Sequence, residues 1–480
     1  MFSPAVLLSS QQWAQATFGS VQLGDPRRVR RVIDLACQIA QNPQASLPCQ
    51  LSPAGLQAAY RFVHSAHTSY EAVLAPHLAQ TRRDCSSHRQ VLLIQDTTEM
   101  DYQSHPTTRG LGPVGNGNHH GFLLQSVLAI LPDHGHVLGL AHQEPFLRQP
   151  APKKESKQQR WKRERESEVW ERSVQALGSP PQQCQWIHVG DRYSDIFAFL
   201  RQCQEHQCDF LVRAFEDRCV DLLVEQGNTP VASRSHHHQN APLPRQHLLE
   251  VVKELPMRSF MQLDLKSSQK HAARTVLLAL SWCSLRLLPP RTREANQWHP
   301  LVVWVIHAWE PDPPEGVEAL DWLLLTSVPT QTAAQAQERV GWYRRRWIVE
   351  DYHQGLKTGC HMEEREIRDY QGLQTLLGII APIAVRLLQL RVLSRECPEL
   401  EARAALPTDV VLLVAHLSGH PAKTMTVQQC WYGIARHGGY LGRTGDGPPG
   451  WKTLWLGWMH IQTLLQGMQL ASLLSNQLEL

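Results

Sequence analysis

The chain has 480 residues, 42% hydrophobic and 19% charged, with a net charge of only +3. That length allows two to four domains with real cores, and the composition excludes a disordered or low-complexity protein. So small a net charge also excludes a uniformly basic nucleic-acid binder, so any such site must be a local patch.

The first elements are helical. Gln11 to Gln80 has helix periodicity, and Asp25-Pro26 supplies an N-cap followed by Pro at the first helical position. The helix it opens carries Arg27, Arg28, Arg30 and Arg31 before turning apolar at Val32, Ile33, Leu35 and Ala36. This is the make-up of a small DNA-binding helical module; a solvated basic helix end is the alternative. From Gln90 the pattern turns to strands. Val91-Leu92-Leu93-Ile94 runs into Gln95-Asp96, and Trp186-Ile187-His188-Val189-Gly190 runs into Asp191. Both read as buried strands with an acid at the end. Phe122 to Leu131 and Val137 to Ala141 read as further strands, and Glu164 to Leu177 and Ile196 to Gln204 as helices.

Phe210 to Thr326 reads as a strand-rich insertion with a polar loop around His236-His237-His238, where solvation is the simpler reading and metal binding the alternative. Tyr343 to Lys357 reads as one helix. Its Tyr343, Arg346, Glu350 and Lys357 then fall within roughly 60° of arc, beside Trp347. After Asp369 the chain is helical, and Leu376 to Leu390 reads as a buried helix too short to span a membrane. The eleven cysteines form no zinc-binding spacing and suit reduced thiols in the cytosol. The N-terminus lacks the pattern of a secretory signal.

Chemistry follows from the acids. Ligands of an α/β sheet gather at the ends of its strands, so Asp96 and Asp191 can converge, with Glu350 joining from a helix. Three carboxylates are hard oxygen ligands for two Mg²⁺ or Mn²⁺ ions about 3.5–4 Å apart, the arrangement for in-line phosphoryl displacement. The alternative is structural: Asp96 caps a turn and Asp191 pairs with Arg192.

Tyr343-x2-Arg346-x3-Glu350-x6-Lys357 resembles the YREK signature of the insertion-sequence-four family of DDE transposases. Ile94-Gln95-Asp96-Thr97-Thr98 and Gly190-Asp191-Arg192-x2-Asp195-Ile196 resemble its two aspartate motifs. Likeness continues along most of the chain. It includes Leu23-Gly24-Asp25-Pro26-Arg27-Arg28, His142-Gln143-Glu144, Trp322-Leu323-Leu324-Leu325-Thr326, Val385 to Arg391, and Ile434-Ala435-Arg436 with Gly438-Gly439.

The resemblance implies an α/β fold with an RNase H-like catalytic core. A helical DNA-binding domain would occupy residues 1–72, the core 73–370 with a β-rich insertion at about 215–320, and a helical dimerisation domain 371–480. It implies a bacterial, cytoplasmic, nucleoid-associated enzyme with no membrane partner. The partners are double-stranded DNA (terminal inverted repeats and target) and a second copy of the chain. It assigns Asp96, Asp191 and Glu350 to metal, Tyr343, Arg346 and Lys357 to terminal phosphates, Trp322 to a flipped base, and Trp347 to stacking nearby. Asp351, Gln354 and Leu356 depart from the family, which has glutamate, lysine and tryptophan there. A catalytically weak or domesticated DNA-binding relative, or an RNase H-like nuclease without transposition, are the rival readings; a glycosidase suits the cations poorly.

Overall fold

The computed structural model describes residues 10–149, 154, 156, 165–226, 229–232, 246–265, 274–291, 295–396, 398–404, 406–443 and 446–478. The His236–His238 loop and all of the basic connector Lys153–Lys162 except residues 154 and 156 lie outside these.

Five helices open the chain: α1 (Ser10–Phe18), α2 (Pro26–Gln41), α3 (Leu47–Gln50), α4 (Pro53–Val63) and α5 (Tyr70–Ser86). Strands β1 (Gln90–Asp101), β2 (Gly112–Val114), β3 (His119–Ile130) and β4 (Val137–Phe146) follow. Next come α6 (Val169–Leu177), β5 (Gln185–Gly190), α7 (Phe197–Glu205) and β6 (Asp209–Arg213). The strand-rich stretch holds β7 (Cys219–Gln226), β8 (Thr229–Ala232), β9 (Gln246–His247), α8 (Leu248–Glu254), β10 (Ser259–Leu265), β11 (Arg274–Leu287), β12 (Leu301–Trp309) and β13 (Asp321–Thr326). The remainder is helical: α9 (Ala333–Arg344), α10 (Trp347–Gln354), α11 (Tyr370–Glu396), α12 (Thr408–Ser418), α13 (Val427–His437) and α14 (Trp451–Leu478). This is the α/β class expected, a mixed-sheet core between helical ends.

The chain divides into two compact units. The first comprises Met1–Ser87, Thr97–Ser156 and Ile348–Leu480; the second comprises His88–Asp96 and Lys157–Trp347.

In the second unit the sheet runs β1-β5-β6-β13-β12-β11-β7. β1 pairs with β5, and β5 with β6, in parallel; β13, β12 and β11 are antiparallel. Val91, Leu92, Leu93, Ile94, Ile187 and Val189 are fully buried, as expected of central parallel strands covered on both faces. Among them sits His188, also without exposure, whose Nδ1 meets the Gln95 amide at 3.1 Å. Burial pushes His188 down to about 3, so it stays neutral at any ordinary pH.

In the first unit, Asp25 caps α2 by accepting from the Arg27 N–H at 2.8 Å, with Pro26 in the first turn, as the sequence predicts. The long helix α11 packs on α5, β4 and α2. It is 27 residues long, so the expectation of a helix too short to cross a membrane is corrected. Its Tyr370–Val392 stretch passes by length and composition, but 89% of the most apolar window is buried within the protein. The apolar character is spent on helix packing. At the C-terminal end α13 and α14 meet through glycines. A Cβ on Gly438 would lie 1.8 Å from the Thr453 carbonyl oxygen, and one on Gly457 1.8 Å from that of Ile434. Only glycine permits so close a crossing. Among the described residues every cysteine is free.

Two predictions arise. Gly457→Ala forces the α13–α14 crossing apart and lowers stability by about 1–3 kcal/mol, read as a drop in the thermal unfolding midpoint. His188 must charge when the chain unfolds but not while it is folded. Its contribution is complete above its unfolded value of 6.5 and is lost as pH falls from there toward 3. Between pH 7 and pH 5 this costs about 2 kcal/mol. Denaturant titrations of wild type and His188→Gln should show a smaller pH 7-to-5 loss in the variant; equal losses would refute the assignment.

Candidate active site

The parallel register brings the two aspartates together. Ile94 of β1 lies opposite Val189 of β5, and Asp96 and Asp191 each stand two residues further on. Asp191 thus directly follows β5, while Asp96 lies inside β1, just past the residues that pair with β5. Both are half-buried. Asp191 caps a short 3₁₀ turn, Arg192–Ser194, its Oδ1 accepting the Tyr193 N–H at 2.8 Å. Arg192 is exposed, so the pairing of Asp191 with a buried Arg192 is not what forms. The buried pair here is Asp195, which accepts from Phe215 N, Glu216 N and the Arg218 guanidinium. It ties the loop after β5 to the loop after β6.

Beside the aspartates lies the end of α9. The Arg346 guanidinium stands 3.6 Å from the Asp96 carboxylate and 4.7 Å from the centroid of the exposed Trp347 ring. Tyr343 is buried, hydrogen-bonds Arg346, and meets the buried Trp322 edge to face at 5.4 Å. Burial pushes the Tyr343 phenol above its ordinary value. Asp191 acts in the same sense, while Arg346 and Arg213 pull the other way. The phenol is thus a neutral donor set among two cations and a carboxylate. Arg213 is a member that sequence reasoning missed; it ends β6, one residue past the Gly190↔Val212 pair, and its Nη2 donates to the Asp321 carbonyl at 2.8 Å.

The expected single helix from Tyr343 to Lys357 does not form. Arg345 N and Arg346 N bond back three residues, to Trp342 O and Tyr343 O, which tightens and ends α9. The chain restarts as α10 and then widens into a π-helix, Gly355–Gly359. The shared helical face therefore breaks up. Tyr343, Arg346, Trp347 and Trp322 belong to the second unit with Asp96 and Asp191; Glu350 and Lys357 belong to the first. Glu350 is half-buried in the first turn of α10, and Lys357 Nζ lies 3.3 Å from Glu363. The family departures each have a place in the packing. Leu356 is fully buried, Gln354 is exposed, and Asp351 pairs at 2.6 Å with the buried Arg391.

At the other end of the chain, Arg27 is exposed and pairs with Asp25 at 2.9 Å. Arg28 donates to the Leu23 carbonyl at 2.8 Å, and Arg30 is exposed.

Among the described residues no three His, Cys, Asp or Glu side chains are grouped as a metal site. The donor chemistry nevertheless fits a hard divalent cation. Two carboxylates just past the paired stretch of neighbouring strands, one already drawing a guanidinium, form a locus that calls for positive charge.

Three family models match in order: Transposase DNA-binding over residues 10–68, Transposase DDE domain over 187–385, and Transposase Tn5 dimerisation domain over 382–477. The DDE match spans Asp191 and Glu350, and Asp96 precedes it. An end-to-end series of DNA-binding, DDE and dimerisation domains, on a mixed-sheet core with two aspartates at one strand edge, makes this chain a member of the Tn5-like DDE transposases.

Proposed function

We propose that the enzyme is a cut-and-paste transposase. It binds inverted terminal repeats as a homodimer, excises the element by nicking and by forming and opening hairpins, and joins the freed ends to target DNA. Residues 1–72 read the ends, 73–370 carry catalysis, and 371–480 hold the synaptic dimer together. The observation that carries this reading is that Asp96 and Asp191 each stand two residues past the Ile94↔Val189 pair, with Arg346 beside Asp96 and Tyr343 within the influence of Arg346 and Asp191.

Asp96, Asp191 and Glu350 are the residues that would hold two Mg²⁺ or Mn²⁺ ions. When bound, such ions lower the pKa of a coordinated water or 3′-hydroxyl and neutralise the leaving oxygen. Around them the protein's own groups handle the DNA. Arg346 exchanges the Asp96 carboxylate for a terminal phosphate, to which its fork can bond twice. Tyr343 donates its neutral phenolic hydrogen, and Arg213 adds a second cation beside it. Lys357 exchanges Glu363 for phosphate as a point charge. Trp347 offers an exposed ring to a base. Trp322, packed against Tyr343, receives the flipped base of the hairpin once the Tyr343 ring shifts onto DNA. Arg27, Arg28 and Arg30 contact the backbone of the terminal repeat.

Cleavage and strand transfer on the element's own inverted repeats with Mg²⁺ test the assignment. Asp96→Asn, Asp191→Asn and Glu350→Gln should each reduce first-strand nicking by roughly a thousandfold or more while leaving end binding in chelator intact. A Glu350→Gln protein that still nicks would remove Glu350 from the metal set. Trp322→Ala should slow hairpin formation about tenfold or more and spare the first nick. Equal loss of both steps would return Trp322 to a purely structural role.

A further inference from the structure

Among the described residues four aromatic side chains are exposed: Tyr193 at 79%, Phe215 at 66%, Trp347 at 55% and Phe260 at 45%. The two most exposed stand on loops that Asp195 joins. Gly190 of β5 lies opposite Val212 of β6, and Tyr193 and Phe215 each come three residues later, on the loops that leave these parallel strands. Asp191 immediately precedes the turn that carries Tyr193 and fixes it through the Tyr193 N–H. Asp195 locks the second loop to the first, since its Oδ2 accepts from Phe215 N at 2.8 Å and Glu216 N at 2.9 Å while Arg218 Nε donates to its Oδ1 at 3.0 Å. Asp195 is buried, so the two backbones are held and the two rings are left outside.

A ring held in water on a fixed backbone adds nothing to the fold, and it would be stabilised by a flat apolar partner. Phe215 has no polar atom, so it can read no base edge and no phosphate; what it can do is stack or wedge. Paired bases within a duplex present no free face, whereas unpaired bases present one each. We propose that Tyr193 and Phe215 form a stacking platform for unpaired DNA bases next to the strand-end aspartates, distinct from the Trp322 and Trp347 positions. The proposal rests on the reading of Asp96 and Asp191 as the cleavage site, since that is what brings a strand to these loops. Its work would be to hold the separated bases flanking the cut strand, with Arg192, exposed between Asp191 and Tyr193, available to their backbone.

The test is fluorescence anisotropy of the full-length protein in chelator, so that no DNA is cut. The probes are a duplex bearing a single-stranded thymine tail and the same duplex with blunt ends. Wild type should prefer the tailed duplex by about tenfold. The double variant Tyr193→Ala, Phe215→Ala should bring that preference below about twofold, with an unchanged unfolding midpoint. Tyr193→Phe with Phe215→Tyr, which keeps both rings, should retain it. A preference that survives the double alanine variant, or that is lost when the rings are kept, overturns the platform. Wild type that binds both duplexes equally overturns the platform alone. Wild type that binds neither overturns the DNA-processing reading beneath it.

Discussion

Everything at the candidate active site depends on the parallel pairing of β1, β5 and β6. Parallel strands bond in an evenly spaced register, so residues equally far past a paired position leave the sheet together. From Ile94↔Val189 and Gly190↔Val212 this brings Asp96, Asp191 and Arg213 just past the paired stretch, and Asp195 then joins the loops that bear Tyr193 and Phe215. A slip of one residue would turn alternate side chains to the opposite face and separate the acids. The register is protected by burial of Val91 to Ile94 and of Trp186 to Val189, which leaves no alternative pairing that keeps these runs dry. Burial of apolar strands thus fixes the position of charge.

That placement has an electrostatic cost, because two carboxylates at neighbouring strand ends repel. The chain offsets it with its own cations: Arg346 by Asp96, and Arg213 beyond Asp191. In the first unit Lys357 is likewise held by Glu363. Unit charges about 4 Å apart attract by about 4 kcal/mol at an effective dielectric of 20, less what each loses on leaving water. Holding the cations in pairs keeps them ordered without committing them. A phosphate that takes Arg346 or Lys357 replaces one anion by another, so it meets a guanidinium or ammonium whose ordering is already largely met. The carboxylate released in the exchange then favours a divalent cation, so metal and DNA would support each other's binding on the proposed reading.

The strand ends are legible in the sequence because an apolar run of strand length that stops at an acid places that acid at the rim of a sheet. Asp191 stands out on that pattern, and so does the Asp25-Pro26 helix start; Asp96 also follows an apolar run, but β1 continues past it to Asp101. The interruption between Tyr343 and Lys357 is not legible, because nothing in Arg344-Arg345-Arg346 marks a break; arginine is a good helix former. The break comes from tertiary demands: Tyr343 and Arg346 turn inward to Trp322 and Asp96, and the backbone tightens to let them. Arg213 is invisible as a member of a site, and the partners of Asp195 are equally so, because both depend on elements brought together by the pairing of β5 with β6, which one sequence does not display. Tyr193 and Phe215 look unremarkable in sequence for the same reason: their significance is exposure, and a lone aromatic in a loop is usually covered.

The altered residues after Glu350 show why a signature can survive changes beside it. On α10 Val349, Tyr352 and His353 are buried, and Leu356 follows them into the core of the first unit. The Tyr352 hydroxyl accepts from the Gln143 amide at 2.8 Å, and the same amide group receives the Tyr70 hydroxyl at 3.1 Å. Asp351 meets the buried Arg391 at 2.6 Å, a pairing a shorter acid can make because the π-helical turn after α10 packs on α11. The helix is therefore held by the packing of Val349, Tyr352, His353 and Leu356 and by the Asp351–Arg391 pair. Leu356 fills its place in the core and Asp351 reaches Arg391, so both side chains are accommodated where they stand. Glu350 needs the helix to be rigid and itself to be left half-exposed. Both conditions are met by its neighbours, so those neighbours are free to change among residues that still pack.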